Sequence, residues 1–88
     1  MSALSPRHWL VLPDAARFAI TVGGIVIGRS SRCDVVIDHP GASRQHAIVV
    51  DHDEGVRVMS LGRGRVDVNG APIEHERALA DGDQIAVP

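Results

Sequence analysis

The chain has 88 residues, of which 44% are hydrophobic and only 2% aromatic, and its formal net charge is -2 at pH 7. A chain of this length forms one domain, with a small core of aliphatic side chains. A nucleic-acid-binding protein needs a basic surface, and a membrane helix needs a run of about 18 apolar residues. Because the chain has neither, we expect neither nucleic acid nor a membrane as its partner.

Cys33 is the single cysteine of the chain. It excludes an internal disulfide and leaves no zinc framework, so we expect a reducing, cytoplasmic location and no cofactor or metal. The acidic turn around His52 is better explained as a polar connection between strands, since a divalent site normally needs three or four convergent ligands. The N-terminus lacks the long apolar core of a secretory leader. We expect Cys33 itself to be a buried packing residue.

Hydrophobic alternation and turn residues divide the first half of the chain into short strands. Residues 1–7 carry no periodic pattern and are expected to form a loose lead. Strands are expected at His8 to Leu12, at Arg17 to Val22 and at Ile25 to Ile27. The pair Gly23-Gly24 predicts a tight hairpin turn between the last two.

The second half of the chain continues the same pattern. Asn69-Gly70 is the preferred dipeptide of a type I′ hairpin turn, and Asp81-Gly82-Asp83 predicts a turn before the last strand. The segment Glu74 to Arg77 is expected to be a solvated loop. Further strands are predicted at Val35 to Ile37, Ala47 to Val50, Val56 to Ser60, Val66 to Val68, Ala71 to Ile73 and around Ile85 and Val87. About ten short strands without helical periodicity indicate an all-β protein, a two-sheet antiparallel β-sandwich.

Two polar segments between these strands combine residues suited to binding an anion. Gly28-Arg29 follows one strand, and Ser43-Arg44-Gln45-His46 precedes another. An arginine fork holds two phosphate oxygens at once, and a hydroxyl or backbone N–H groups can take a third. The alternative is that Arg29 is a solvated loop residue paired with Asp34 or Asp38.

The ordered set of motifs resembles the forkhead-associated (FHA) domain. The resemblance is carried by Gly28-Arg29, Cys33 to Ile37, Ser43 to His46, Val68-Asn69-Gly70 and Leu79 to Ile85. It implies that residues 8–88 form an FHA-like sandwich, whose family usually has eleven strands. It also implies that Arg29 grips the phosphate of a phosphothreonine and that Ser43 donates to the same phosphate, while His46 holds the loops from beneath. Gly28, Asn69 and Gly70 match structural positions.

One loop departs from the family pattern. Family members usually carry a Gly-Ser-x-Asn-Gly run where this chain has Ser60-Leu61-Gly62-Arg63-Gly64-Arg65. The departure affects the positions that contact the peptide and not those that form the phosphate cradle. Arg63 and Arg65, together with Arg44, are candidates for additional cations at the site. The alternative, that the loop is degenerate, stays open at this point.

The resemblance implies a phosphothreonine-peptide recognition module in Ser/Thr kinase signalling, within a longer bacterial-type protein. The alternative is a phospho-independent FHA-like scaffold or assembly domain, for example of a secretion or regulatory complex. Ser43, His46 and Asp38 are the residue types of a hydrolytic triad, but no nucleophile-elbow motif accompanies them. We therefore expect a binding protein and not an enzyme.

The last expectation concerns strand edges. In the family the first strand usually pairs with the last, and no residues follow to form a strand after Val87. Exposed edges recruit partners because their N–H and C=O groups are free. We expect either a homodimer through these edges or direct pairing of His8 to Leu12 with Gln84 to Val87, the dimer being favoured.

Overall fold

A computed structural model describes residues 8–87, so the expected loose lead at residues 1–7 lies outside the described residues. Residues 8–87 form ten short strands, as expected. None of the described segments is a helix of the length and apolarity needed to cross a membrane. The strands are β1 (Trp9–Val11), β2 (Arg17–Ala19), β3 (Ile25–Gly28), β4 (Val35–Val36), β5 (Ala47–His52), β6 (Gly55–Ser60), β7 (Asp67–Val68), β8 (Ala71–Pro72), β9 (Glu76–Ala78) and β10 (Ile85–Ala86).

The larger layer is a five-stranded sheet in the order β4-β3-β5-β6-β9. Its centre is the β5–β6 hairpin, which is in register from Ala47 opposite Ser60 to His52 opposite Gly55. Alternate residues of these strands, such as Val49 and Val58, are completely buried. This is the alternation of a sheet that packs one face against a core.

Two smaller sheets form the opposite layer, the β1–β2 hairpin and a three-stranded sheet in the order β10-β7-β8. The core contains buried residues of the large sheet together with Val66 and Val68, and Leu10 and Phe18 of the hairpin pack against it. The structure is therefore the expected all-β sandwich. One layer is divided into two sheets, and one pair of strands is not antiparallel.

That pair is β3–β4, which is parallel, with Ile27 opposite Val35. The loop between the two strands folds back along β3, because the Asp34 carboxylate accepts a hydrogen bond from Val26 N at 2.9 Å. The chain therefore re-enters the sheet in the direction of β3. The large sheet is therefore mixed, with this one parallel pair among the described pairs of an otherwise antiparallel sandwich.

The hairpin predicted at Gly23-Gly24 does not form. A turn is present, with Gly24 at a φ of 84° and its N–H donating to Thr21 O at 3.0 Å. The strands on either side do not pair with each other, because β2 pairs with β1 and β3 pairs with β5. The chain crosses here from one layer to the other, which ends β2 at Ala19 and leaves Val22 exposed.

Part of the solvated loop predicted at Glu74 to Arg77 is a strand. Residues Glu76–Ala78 form β9, which pairs with β6 at the edge of the large sheet. All three residues of β9 are exposed, so no hydrophobic alternation marks the strand. Its backbone hydrogen bonds and the 2.7 Å ion pair between Arg57 and Glu76 hold it in place.

The direct pairing of the first strand with the tenth does not form. Within residues 8–87, β1 pairs only with β2 and β10 pairs only with β7. Apolar side chains, including Leu10 and Ile85, line the space between the two strands. Within residues 8–87 the two sheets of this layer therefore do not join, and β1 and β10 each keep an unpaired edge. The homodimer expected through them stays a prediction.

The Asn69-Gly70 turn is confirmed, since both residues have positive φ values, 53° and 83°. The Asn69 side chain also connects this turn to the one before β10. Its Oδ1 accepts from Gln84 N at 2.9 Å, and its Nδ2 donates to Asp83 Oδ1 at 3.0 Å. Asn69 thus ties β7 to β10 as well as forming the turn.

The Asp83 carboxylate makes stability sensitive to acid. Hydrogen bonds from Ala80 N and then from Asn69 hold the pKa of this carboxyl below its ordinary value. Its stabilising effect is therefore present above the ordinary pKa of about 4 and is lost as the pH falls through the lower folded value.

We expect Asp83→Asn to lower the free energy of unfolding at pH 7 and to make its decline below about pH 4 shallower. Urea titrations at a series of pH values measure both effects. Asp81→Asn is the matched control, because no residue in the described range donates a hydrogen bond to the Asp81 carboxylate. If the free energy of unfolding declined equally steeply below about pH 4 in the parent and in Asp83→Asn, the prediction would be contradicted.

Candidate functional site

Arg29 directly follows β3, where the strand meets the loop that contains Ser43. Its backbone N–H donates to Ser43 O at 2.9 Å, and its side-chain Nε donates to Ala42 O at 3.1 Å. The second bond orients the guanidinium and leaves its two terminal nitrogens available. Arg29 forms no ion pair within residues 8–87, so the predicted alternative partners Asp34 and Asp38 do not neutralise it.

Gly28 allows this close approach of the two segments. A Cβ at position 28 would overlap the carbonyl oxygen of Arg44. The buried Cys33 fills the neighbouring space, and its thiol donates to the same carbonyl at 3.1 Å. Cys33 is therefore a packing residue, as expected. Any side chain at position 28 would push Arg29 and Ser43 apart.

Two serines adjoin the Arg29 backbone: Ser30 is the next residue, and Ser43 accepts the Arg29 N–H through its carbonyl. Ser43 Oγ accepts a hydrogen bond from Gly64 N at 3.3 Å, and Ser30 Oγ accepts one from Arg32 N at 3.2 Å. A hydroxyl carries one proton in addition to its acceptor positions. Both serines therefore keep a proton to donate to a ligand.

His46 lies beneath these loops and is completely buried. Its Nδ1 accepts from Ser43 N at 3.0 Å. Its Nε2 lies 2.9 Å from Arg65 O, so this nitrogen must carry the proton and donate it. One tautomer thus satisfies both contacts and connects the Ser43 loop to the loop of residues 61–65.

The loop that departs from the family pattern packs tightly on this histidine. A Cβ at Gly64 would overlap the His46 imidazole. Leu61 N also donates to His46 O at 3.0 Å. The loop is therefore anchored on both sides of Arg63. The alternative that the loop is degenerate in peptide recognition stays a hypothesis, because this packing concerns the fold of the loop.

A cleft lies between the two loops. Of the predicted site residues, Ser43, Arg44 and Arg63 line it. Arg44 and Arg63 are exposed and form no ion pair within residues 8–87. Arg65 points to another partner, because its Nε lies 2.6 Å from Asp67 Oδ1. Asn69 and Gly70 lie in the β7–β8 turn and support the fold.

The residues considered for catalysis or metal binding do not converge. Both ring nitrogens of His46 bond to backbone groups, so neither is available to the Ser43 hydroxyl. Among residues 8–87, no three His, Cys, Asp or Glu side chains are close enough to hold a metal ion together. The site is thus a set of cations and hydroxyls on a rigid base.

Sequence reasoning missed three contributors to the site. Ser30, the residue after Arg29, lines the cleft. Gly62 and Gly64 allow the loop of residues 61–65 to approach Ser43 and His46. The position of Ser30 next to Gly28-Arg29 is a signal that could have identified it. The two glycines act through steric contact with distant residues, which sequence spacing does not reveal.

Comparison with known proteins agrees with this geometry. Residues 25–88 match the family model of the FHA domain. The Arabidopsis thaliana homologue of the protein phosphatase 1 regulatory inhibitor subunit PPP1R8 is 33% identical in an alignment of 92 positions, which covers 86% of this chain but only 24% of that protein.

Two solved structures are similar in fold and sequence. Mycobacterium tuberculosis EmbR, in complex with a low-affinity phosphopeptide, aligns with a TM-score of 0.79 and 28% identity over 89% of this chain and 21% of EmbR. A structure from work on phosphothreonine-dependent FHA domain interactions aligns with a TM-score of 0.73 and 26% identity, covering 85% of this chain and 78% of its own. The chain therefore belongs to the FHA domain family.

Proposed function

We propose that this domain captures phosphothreonine-containing peptides and so mediates phosphorylation-dependent protein–protein interaction in Ser/Thr kinase signalling. The observation that carries the proposal is that an oriented Arg29 without an ion pair within residues 8–87 is bonded through its backbone to Ser43, whose hydroxyl keeps a proton to donate. A phosphothreonine brings about -1.5 to -2 charges and three acceptor oxygens. The phosphothreonine-dependent interactions of a similar FHA domain support the same function.

In this mechanism the domain binds its target and performs no chemistry. The Arg29 guanidinium takes phosphate oxygens with its terminal nitrogens, while the Ser43 hydroxyl donates to another oxygen. The backbone bond between Arg29 and Ser43 fixes the two donors relative to each other. Binding therefore requires little reorganisation of the loops.

The proposal is tested by fluorescence anisotropy with three versions of one labelled peptide. The versions contain phosphothreonine, threonine or glutamate at the central position. We expect the phosphothreonine peptide to bind at least tenfold more tightly than the other two, because only a phosphate supplies both the charge and three acceptors. Equal binding of the phosphorylated and unphosphorylated peptides would contradict the proposal.

The open edges of β1 and β10 favour a second candidate, a phospho-independent scaffold that assembles through its strands. Trp9 and Val11 of β1 are 49% and 58% exposed, and free backbone groups at an edge promote pairing. This candidate predicts a homodimer, which light scattering across a concentration series would detect. A strict monomer at high concentration would remove it.

A further inference from the structure

The cleft beside Ser43 has a charge that phosphate binding does not require. Arg44 and Arg63 line it, and no Asp or Glu is among its lining residues. The chain as a whole carries a formal charge of -2. The cleft is therefore a local concentration of positive charge on a slightly acidic protein, and such a region attracts an anionic ligand.

Ion pairs neutralise two arginines of the described residues, but not the two that line this cleft, which share that state with Arg17, Arg29, Arg32 and Arg77. Arg57 pairs with Glu76, and Arg65 pairs with Asp67. Arg44 and Arg63 have no carboxylate partner within residues 8–87. Their guanidiniums are thus free to form a bidentate pair with an incoming carboxylate.

The backbone of Arg63 has a fixed position relative to Ser43. Leu61 N bonds to His46 O on one side, and Gly64 N bonds to Ser43 Oγ on the other. The Cα of Arg63 is therefore held in place relative to Ser43, the predicted phosphate contact. A residue close to the phosphothreonine would meet it at a defined distance along the peptide.

We propose that Arg63, together with Arg44, selects phosphothreonine peptides that carry an aspartate or glutamate beside the phosphothreonine, on the side that lies in this cleft. The inference rests on the proposed function and adds the class of peptide that the site prefers. Leu61, which is 47% exposed and lines the same cleft, contacts the aliphatic part of the acidic side chain.

The test uses phosphothreonine peptides in which each of three positions on either side is aspartate, asparagine or lysine in turn. Anisotropy titrations give the Kd of every peptide. Exposed ion pairs are worth up to about fivefold in affinity. At one or more positions on a single side, we expect aspartate to bind about two- to fivefold more tightly than asparagine, and lysine to bind more weakly.

A charge reversal identifies the residue responsible. Arg63→Glu should reverse the order, so that lysine binds more tightly than aspartate at those positions, and Arg63→Gln should remove the preference. Arg77→Glu is the matched control. It makes the same change of net charge at an exposed residue of β9, and it should leave the order unchanged.

The outcomes separate this inference from the proposed function. Loss of the phosphate requirement itself would contradict the function. A retained phosphate requirement with equal affinities for aspartate, asparagine and lysine would overturn only the inference. Equal shifts in Arg63→Glu and Arg77→Glu would also overturn it, because the preference would then come from net charge. A uniform loss across all peptides in Arg63→Glu would assign the residue to the phosphate instead.

Discussion

Arg29→Ala is expected to weaken binding of a phosphothreonine peptide by at least tenfold. Hydrogen bonds to charged groups are worth about 1.5–3 kcal/mol, and about 1.4 kcal/mol corresponds to a tenfold change in affinity. Arg29→Lys should recover part of the loss, since lysine keeps the charge but not the planar fork. Ser43→Ala should lose less than Arg29→Ala, because it removes one neutral donor. Isothermal titration calorimetry measures all three.

Arg17→Ala is the control, because Arg17 is an exposed arginine of β2 outside the loops that form the site. It should bind the phosphopeptide as the parent does. Arg29 is itself exposed, and its side chain makes one hydrogen bond to the protein, with Ala42 O. Arg29→Ala should therefore change the free energy of unfolding by no more than about 1 kcal/mol. A variant that binds as tightly as the parent would show that the phosphate is held elsewhere.

The strands that the sequence predicts well are those with one buried face. β5 and β6 alternate buried apolar residues with more exposed ones, and this pattern is visible in the sequence. β9 is not visible, because all of its residues are exposed and three successive positions, Glu76 to Ala78, lack any apolar alternation. Its place at the sheet edge comes from backbone pairing with β6.

Turn residues predict where the chain changes direction but not which strands pair. Asn69-Gly70 and Gly23-Gly24 carry equally clear local signals, and both positions are turns. Only the first joins paired strands, β7 and β8. At Gly23-Gly24, β2 pairs with β1 instead, and this β1–β2 hairpin packs against the core with Leu10 and Phe18. That packing depends on residues far apart in sequence.

The candidate site, too, could be predicted from the sequence only in part. Arg29 and Ser43 were predicted from family motifs, and the structure brings them together through a backbone hydrogen bond. The close packing of the loop of residues 61–65 on His46 could not be predicted. It depends on the absence of a side chain at Gly64 opposite the His46 imidazole, and the two residues belong to separate segments.

The second large effect is expected at His46. His46→Ala removes the partners of Ser43 N and Arg65 O inside the protein, and leaving buried polar groups unpaired costs about 1–3 kcal/mol each. We expect a loss of about 2–4 kcal/mol in the free energy of unfolding, a large fraction of the stability of a domain of this size. Urea denaturation measures the loss, and an unchanged midpoint would contradict it.

Two milder variants keep the test informative if His46→Ala does not fold. The amide oxygen of His46→Asn can accept from Ser43 N, and the amide nitrogen of His46→Gln can donate to Arg65 O. Each retains one of the two contacts. Both should therefore lose less stability than the alanine variant. Losses as large as that of alanine would mean that the imidazole acts through its shape and not through these bonds.

Gly64→Ala tests the contact from the opposite loop. Its φ is not in the left-handed region, so alanine is allowed by the backbone, but the new methyl group would overlap the imidazole. Overpacking of this kind costs about 1–3 kcal/mol. Because His46→Ala removes the ring that the methyl group meets, the double variant should be less destabilised than the sum of the two single variants. Additive losses would show that the loop and the histidine are not in contact.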